Sequence, residues 1–302
     1  MIGEKMEGTI AHVVDETLTP PAKESGSQLA ALVKLICTPI NMLEIYHDAW
    51  IKDFERRVTE KFKKIPDAQR QAPPLNIVGP ALEASKYHLG VEEMREMFAN
   101  LVSHACNQKM SSAIHPAFVT ILTQLSPLEA HILAEFRPKQ EVNLFKSISV
   151  GGQEIPMRGG SGVFAFPEQI LPIANYYLVN GSRQFLAQSN VMKIDLEAEI
   201  ETISSAVTNL IRLGLVDAQF TMSLSDQKSY EWFYDNKLYD TLCRDINPDG
   251  QVSMRTVRGN PIWGGHYKEI RIEKGLVRLT PLGYDFIKVC VLEEEVITCT
   301  EP

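Results

Sequence analysis

His104 and Cys106 lie close together in the chain, with His115 a short step beyond, and all three side chains can bind a metal ion. A zinc site normally repeats a paired spacing and gathers about four ligands, and no fourth ligand is near, so these read as a helix-end histidine and a buried cysteine. His88 and His131 are isolated and read as core or surface residues rather than general bases. Glu92 and Glu93 are adjacent carboxylates, but neighbouring positions on a helix point about 100° apart and do not converge on one substrate. The run Arg158-Gly159-Gly160-Ser161-Gly162 invites a phosphate loop, yet the Lys-Ser or Lys-Thr that should follow is missing. A nucleophile elbow is absent too, because the serine stands in G-G-S-G-V without the final glycine. No catalytic residue is assigned, and neither a cofactor nor a metal is expected.

The charges support a different chemistry. Between residues 251 and 278, Arg255, Arg258, Lys268, Arg271, Lys274 and Arg278 face only Glu269 and Glu273, and Trp263, His266 and Tyr267 lie among them. Cations interleaved with aromatic rings can contact a nucleic-acid strand, so Arg255, Arg258, Trp263, Lys268, Arg271 and Lys274 are the candidate contacts. Alternating charge also protects strand edges, which is the plainer account of the same residues. Over the whole chain, 30 Lys and Arg oppose 38 Asp and Glu for a net charge of −8, so any contact with nucleic acid must be local.

The 302 residues suffice for about two domains at ~150 residues each, and 44% apolar with 23% charged residues is a globular composition. Cys37, Cys106, Cys243, Cys290 and Cys299 are scattered and odd in number, which fits reduced thiols and a cytoplasmic location. The N-terminus MIGEKMEGTIAHVVDETL lacks the basic start and apolar run of a secretion signal. The most apolar window, Leu29 to Ile45, is broken by Lys34, Pro39, Asn41 and Glu44, short of the ~18 apolar residues a spanning helix needs. A membrane is therefore not an expected partner, although an amphipathic surface here remains a competing reading.

Hydrophobic periodicity places the elements. A loose arm covers residues 1–20, and from Ala22 the residues Leu29, Leu32, Val33 and Ile36 make a helix that Pro39 ends. Leu43, Tyr46, Trp50, Phe54, Val58 and Phe62 form the stripe of a longer helix, whose surplus of cations between Lys52 and Arg70 reads as a solvated face. Val78-Gly79-Pro80 is expected to open a short helix, and Met94, Met97, Phe98, Leu101 and Val102 stripe the next. Ser126-Pro127-Leu128-Glu129 is a capping box that should start a helix running to about Phe136. Later helices are expected at 167–178, at 195–213 and from Pro281 to about Leu292, with strands at 252–257 and 267–277.

Three C-terminal pieces, LSPLEAHIL, LIRLGLV and LVRLTPLGYDFI, follow in an order that resembles a winged helix, with the second piece in the recognition position. That position opposes DNA reading, because Asp195, Glu197, Glu199 and Glu201 crowd it against Lys193 and Arg212, and phosphate would be repelled. A packing or dimerisation module is the expectation. The fold class is mainly α with a small β component: residues 21–124 as a helical domain, 125–292 as a winged-helix-like α+β domain with inserted segments, and 293–302 as an acidic tail.

Between Pro20 and Leu133 stand an early proline pair, LVKLICTP, PPLNIVGPALEA, EMFANL, SSAIHPAF and LSPLEA, and LTPLGYDFIKVC follows near the end. With these segments the chain resembles the abortive infection alpha (Abi-alpha) family, whose members tend to close in the same way. The resemblance implies a bacterial antiphage role in which an infected cell halts before phage mature, and it brings no catalytic residues. Pro74, Gly79, Pro80, Glu83, Phe98, Asn100, His115 and Pro116 are its motif positions and read as structural. The implied protein acts by binding a phage or host macromolecule, with self-association and local nucleic-acid contact as expectations. A transcriptional regulator using its wing, and a phage-triggered nuclease, are the alternatives.

Overall fold

A computed structural model describes residues 44–136, 147–150, 153–156, 170–245, 254–257, 260–263 and 267–291. The arm at 1–20, the helix from Ala22, the run Arg158 to Gly162, Arg258 and the tail at 293–302 lie outside them. The described residues are mainly helical with small antiparallel sheets, and fall into two compact units: one before His131 and again from Tyr284, the other from His131 to Gly283.

The first unit is built from α1 (Glu44–Lys64), α2 (Leu75–Ser85), α3 (Glu92–Ala105), α4 (Ala117–Thr123), the start of α5 (Pro127–Glu135) and the chain end. The four-residue spacing of Phe54, Val58 and Phe62 does what the stripe predicts, and all three are buried. Helix α2 corrects the expected boundary. It opens at Leu75 with Pro74 as N-cap, so Gly79 and Pro80 lie inside it. The proline is tolerated because Asn76, whose carbonyl loses its partner, is exposed to water, as is Pro80 itself. Helix α5 has the reciprocal capping box: the Ser126 N–H donates to the Glu129 carboxylate, and the Glu129 N–H reaches Ser126 Oγ at 3.4 Å.

The surplus cations of α1 are not simply solvated. Arg57 donates to Asp53 at 2.8 Å, Glu92 at 2.9 Å and Glu96 at 2.6 Å, and Lys61 meets Glu96 at 2.5 Å, joining α1 to α3. Burial raises the Asp53 and Glu96 carboxyls, but their cationic partners outweigh it and hold both below the usual carboxylate values. The chain end closes this unit. Phe286 is fully buried with its ring edge-on to Phe118 at 5.3 Å, and a π-helical turn, Ile287–Val291, follows.

The second unit centres on a sheet of order β4-β3-β9-β5, made from β3 (Leu171–Asn180), β4 (Arg183–Met192), β5 (Val216–Gln219) and β9 (Glu269–Leu279). Where a helix is expected over 167–178, the strand β3 stands from Leu171 onward. Its residues are buried on both faces, and such a run has no period that separates a buried strand from a buried helix. The β3–β4 turn puts Gly181 at φ 57°, as a two-residue hairpin loop of the type II′ kind requires. Two short strands, β1 (Ser147–Val150) and β2 (Gln153–Pro156), pair with each other, and β1 pairs with β6 (Met222–Leu224). A separate hairpin joins β7 (Met254–Val257) to β8 (Asn260–Trp263).

Helix α6 (Ile200–Arg212) starts later than the expected 195 and is followed by β5, which pairs with β9. Ahead of α6 stands the strand β4, so among the described residues no second helix precedes it as a helix-turn-helix would require. The closing helix, α8 (Pro281–Phe286), is shared between the units. Thr280 Oγ1 accepts the Gly283 N–H at 2.9 Å as an N-cap and donates to the Gly214 carbonyl at 2.5 Å. Gly283 is needed for space, because a Cβ there would lie 1.9 Å from the Leu215 carbonyl oxygen.

Candidate functional site

The stretch between Leu196 and Glu201 meets the segment from Trp232 to Thr241 at an open cleft of about 600 Å³ within the second unit. The aromatic segment forms a 3-10 turn, Gln227–Tyr234, followed by α7 (Lys237–Asp245). Asp226 starts the turn by accepting the Lys228 N–H. Phe233 and Leu242 anchor the segment in the core beside Tyr176, whose hydroxyl donates to the Phe233 carbonyl at 2.7 Å. Trp232 is thereby left half-buried at the cleft, braced edge-on by Phe233 at 5.2 Å.

Ile200 and Leu238 pack toward the core below the cleft, while Leu196 is 37% exposed. Glu197, Glu199 and Glu201 are exposed at the rim, and Lys237 reaches both Glu199 oxygens at 3.4 Å. Glu199 is the N-cap of α6, yet its carboxylate makes no capping bond. Asn236 offers little to a ligand: its amide donates to Tyr176 Oη and the Trp232 carbonyl, and its oxygen accepts the Tyr239 N–H. The cleft thus presents an indole and an aliphatic side chain beneath a rim carrying more carboxylates than cations.

Two of the cations expected to meet nucleic acid, Arg271 and Lys274, do not share one face. Arg271 and Lys274 differ in parity along β9 and so lie on opposite sides of the sheet. The Arg271 guanidinium stacks over Tyr177 at 5.1 Å and donates to Gln184 at 2.5 Å, while Glu273 holds Tyr177 and Asn175 beside it. The Lys274 ammonium lies over the rings of Tyr230 and Tyr234 and donates to Gln227 at 2.7 Å. Lys268 is exposed. Arg255 and Trp263 are on β7 and β8 at registers that do not pair directly.

The profile of the family described as abortive infection alpha matches residues 47–290. The chain belongs to that family. No curated protein and no solved structure matches it. Membership points to abortive-infection defence, and of the motif positions in this Abi-alpha protein Phe98 and Asn100 lie inside the first unit, while Pro80, His115 and Pro116 are exposed. Phe98 is fully buried, and Asn100 donates to the Cys290 carbonyl at 2.9 Å. One turn on, His104 Nδ1 lies 2.7 Å from the Val289 carbonyl, so the two side chains clasp the final π-helical turn. Glu83 pairs with Lys86 at 2.5 Å, and Pro116 caps α4 while His115 Nδ1 accepts the Ala117 N–H.

The residues with metal-binding chemistry make separate contacts: His104 with the Val289 carbonyl and His115 with the Ala117 N–H. Burial pushes the Cys106 thiol up to about 12, and it donates to the Val102 carbonyl at 3.4 Å. Among the described residues, no three His, Cys, Asp or Glu side chains gather where a metal ion could sit. No single described helix is long and apolar enough to cross a membrane. The bent pair α4 and α5 passes only by length and composition, with Phe118, Leu122, Ile132 and Leu133 buried.

In the sequence the acids at the start of α6 read as a barrier to phosphate and, spread around a helix, as no metal centre, while nothing there gives the aromatic segment a role. The Trp232-Phe233-Tyr234 run flanked by Asn236 and Lys237 was a visible sign of a packed polar corner. No spacing, however, tied it to the chain some thirty residues earlier.

Proposed function

We propose that this Abi-alpha protein defends a bacterium against phage by binding a macromolecule rather than by chemistry of its own, with the cleft beside Trp232 as its contact surface. The family match over residues 47–290 carries the defence reading. The binding mode is supported by how the reactive side chains are spent: His104 and Asn100 on backbone carbonyls, Arg57 and Glu96 on each other. A cytoplasmic site of action agrees with the scattered cysteines, of which the described Cys106, Cys243 and Cys290 are free thiols.

Phage plating and infected-culture survival, with and without the gene, test the defence reading. Plaque numbers should fall, and a culture infected at low dose should survive while one infected at high dose collapses. Equal plaque numbers across a broad phage panel would refute it. A DNA-binding regulator would need the wing cations to act together, and the opposite placement of Arg271 and Lys274 disfavours that reading.

A further inference from the structure

The cleft beside Trp232 is chemically one-sided. Of its lining side chains, Asn236 is saturated by Tyr176, Trp232 and Tyr239, and Thr241 donates its hydroxyl to the Lys237 carbonyl. Among the described residues, the carboxylates of Glu197 and Glu201 make no hydrogen bond or ion pair, and Glu199 has only the long, exposed contact to Lys237. An exposed pair at that separation contributes little and is readily exchanged. What the rim offers is acceptors with negative charge, so a complementary occupant brings donors with positive charge. Phosphate is excluded by the same carboxylates.

The apolar part narrows the occupant further. Trp232 is held by its T-shaped contact with Phe233, so its ring is ready-placed for a cation or an aliphatic side chain, and Leu196 adds exposed apolar surface next to it. A free metal ion or a bare ammonium would leave that surface wet. The volume, about 600 Å³, suits a few side chains rather than a folded domain edge.

We infer that the cleft docks a short basic, amphipathic segment of a partner protein, with Lys or Arg against Glu197, Glu199 and Glu201 and a neighbouring apolar side chain on Trp232 and Leu196. This rests on the binding mode proposed above and names the partner's chemistry at that site.

Fluorescence anisotropy with the full-length protein tests it, using the labelled probe acetyl-Lys-Leu-Arg-Lys-Leu-Arg-amide and a second probe with serine in place of leucine. The first probe should bind saturably at about 0.15 M salt. The triple variant Glu197→Gln, Glu199→Gln, Glu201→Gln should weaken it about tenfold, or about 1.4 kcal/mol. A control triple, Glu60→Gln, Glu83→Gln, Glu269→Gln, removes the same charge elsewhere and should leave binding within about twofold. Urea midpoints of both triples report that they fold. No saturable binding, equal weakening by both triples, or equal binding of the serine probe would each overturn the inference. Sedimentation of the protein alone covers a rival occupant: self-association abolished only by the cleft triple would assign the cleft to a second copy and overturn the partner segment. Phage protection is read separately, so cells that stay protected by the cleft triple would sink this inference and leave the defence role standing.

Discussion

The packed interior of the first unit and the cleft of the second use the same kinds of residue in opposite ways. In the first, charged and polar side chains face each other or the backbone: Arg57 bridges Asp53, Glu92 and Glu96, while Asn100 and His104 hold the chain end. In the second, Glu197 and Glu201 stand at a concave surface beside a half-buried indole. A polar group inside a fold is stabilised by a partner there, as the Asn100 amide N–H is by the Cys290 carbonyl, whereas one at an open cleft is already solvated and can be exchanged for a ligand. The contrast separates a scaffold from a surface, although the family motifs are densest in the scaffold.

Replacing Phe118 with Ala breaks the scaffold most directly. The ring is fully buried against Phe286, so the urea midpoint should fall by the equivalent of about 3–5 kcal/mol. Probe binding by the protein that remains folded should not change. Gly283→Ala asks whether the second unit is equally intolerant where its chain closes. Its Cβ would strike the Leu215 carbonyl oxygen, and a loss of about 1–3 kcal/mol is expected from thermal and urea unfolding. A neutral result would mean that α8 can slide on β5.

Arg57→Ala gives the smallest effect and the sharpest signature. At neutral pH it should cost about 1–2 kcal/mol, less in high salt. Asp53 and Glu96 have folded-state values below their unfolded ones. Their ion pairs therefore stabilise the protein fully above the ordinary carboxylate value of about 4 and lose that contribution as pH falls through the lowered values. The gap between native and variant midpoints should accordingly close on acidification. A gap that persists in acid would show that Arg57 acts through packing of its stem.

Legibility followed the range of the physics. The stripe Phe54, Val58, Phe62, the capping box at Ser126 and Glu129, and Thr280 with Pro281 at the last helix start were readable, because each depends on residues a few positions apart. β3 was not, since a run buried on both faces loses the alternation that marks a strand, and its partner β9 lies about a hundred residues away. Gly181-Ser182 was the available signal for that hairpin, and the positive φ at Gly181 shows why the glycine is there. The charge surplus of α1 was countable in the sequence, but only the packing of α3 against it turned the cations into ion pairs.

By itself, then, the chain determined its helical stripes, its caps, its family and its overall negative charge, all of which are local or additive properties. Tertiary structure alone decided that Arg271 meets Tyr177 and Lys274 meets Tyr230, that the segment from Tyr284 returns to the first unit, and that the acids near Glu199 share a cleft with Trp232. Those outcomes hinge on strand register and on contacts between distant segments, and a register shift of one residue would exchange which side chains meet.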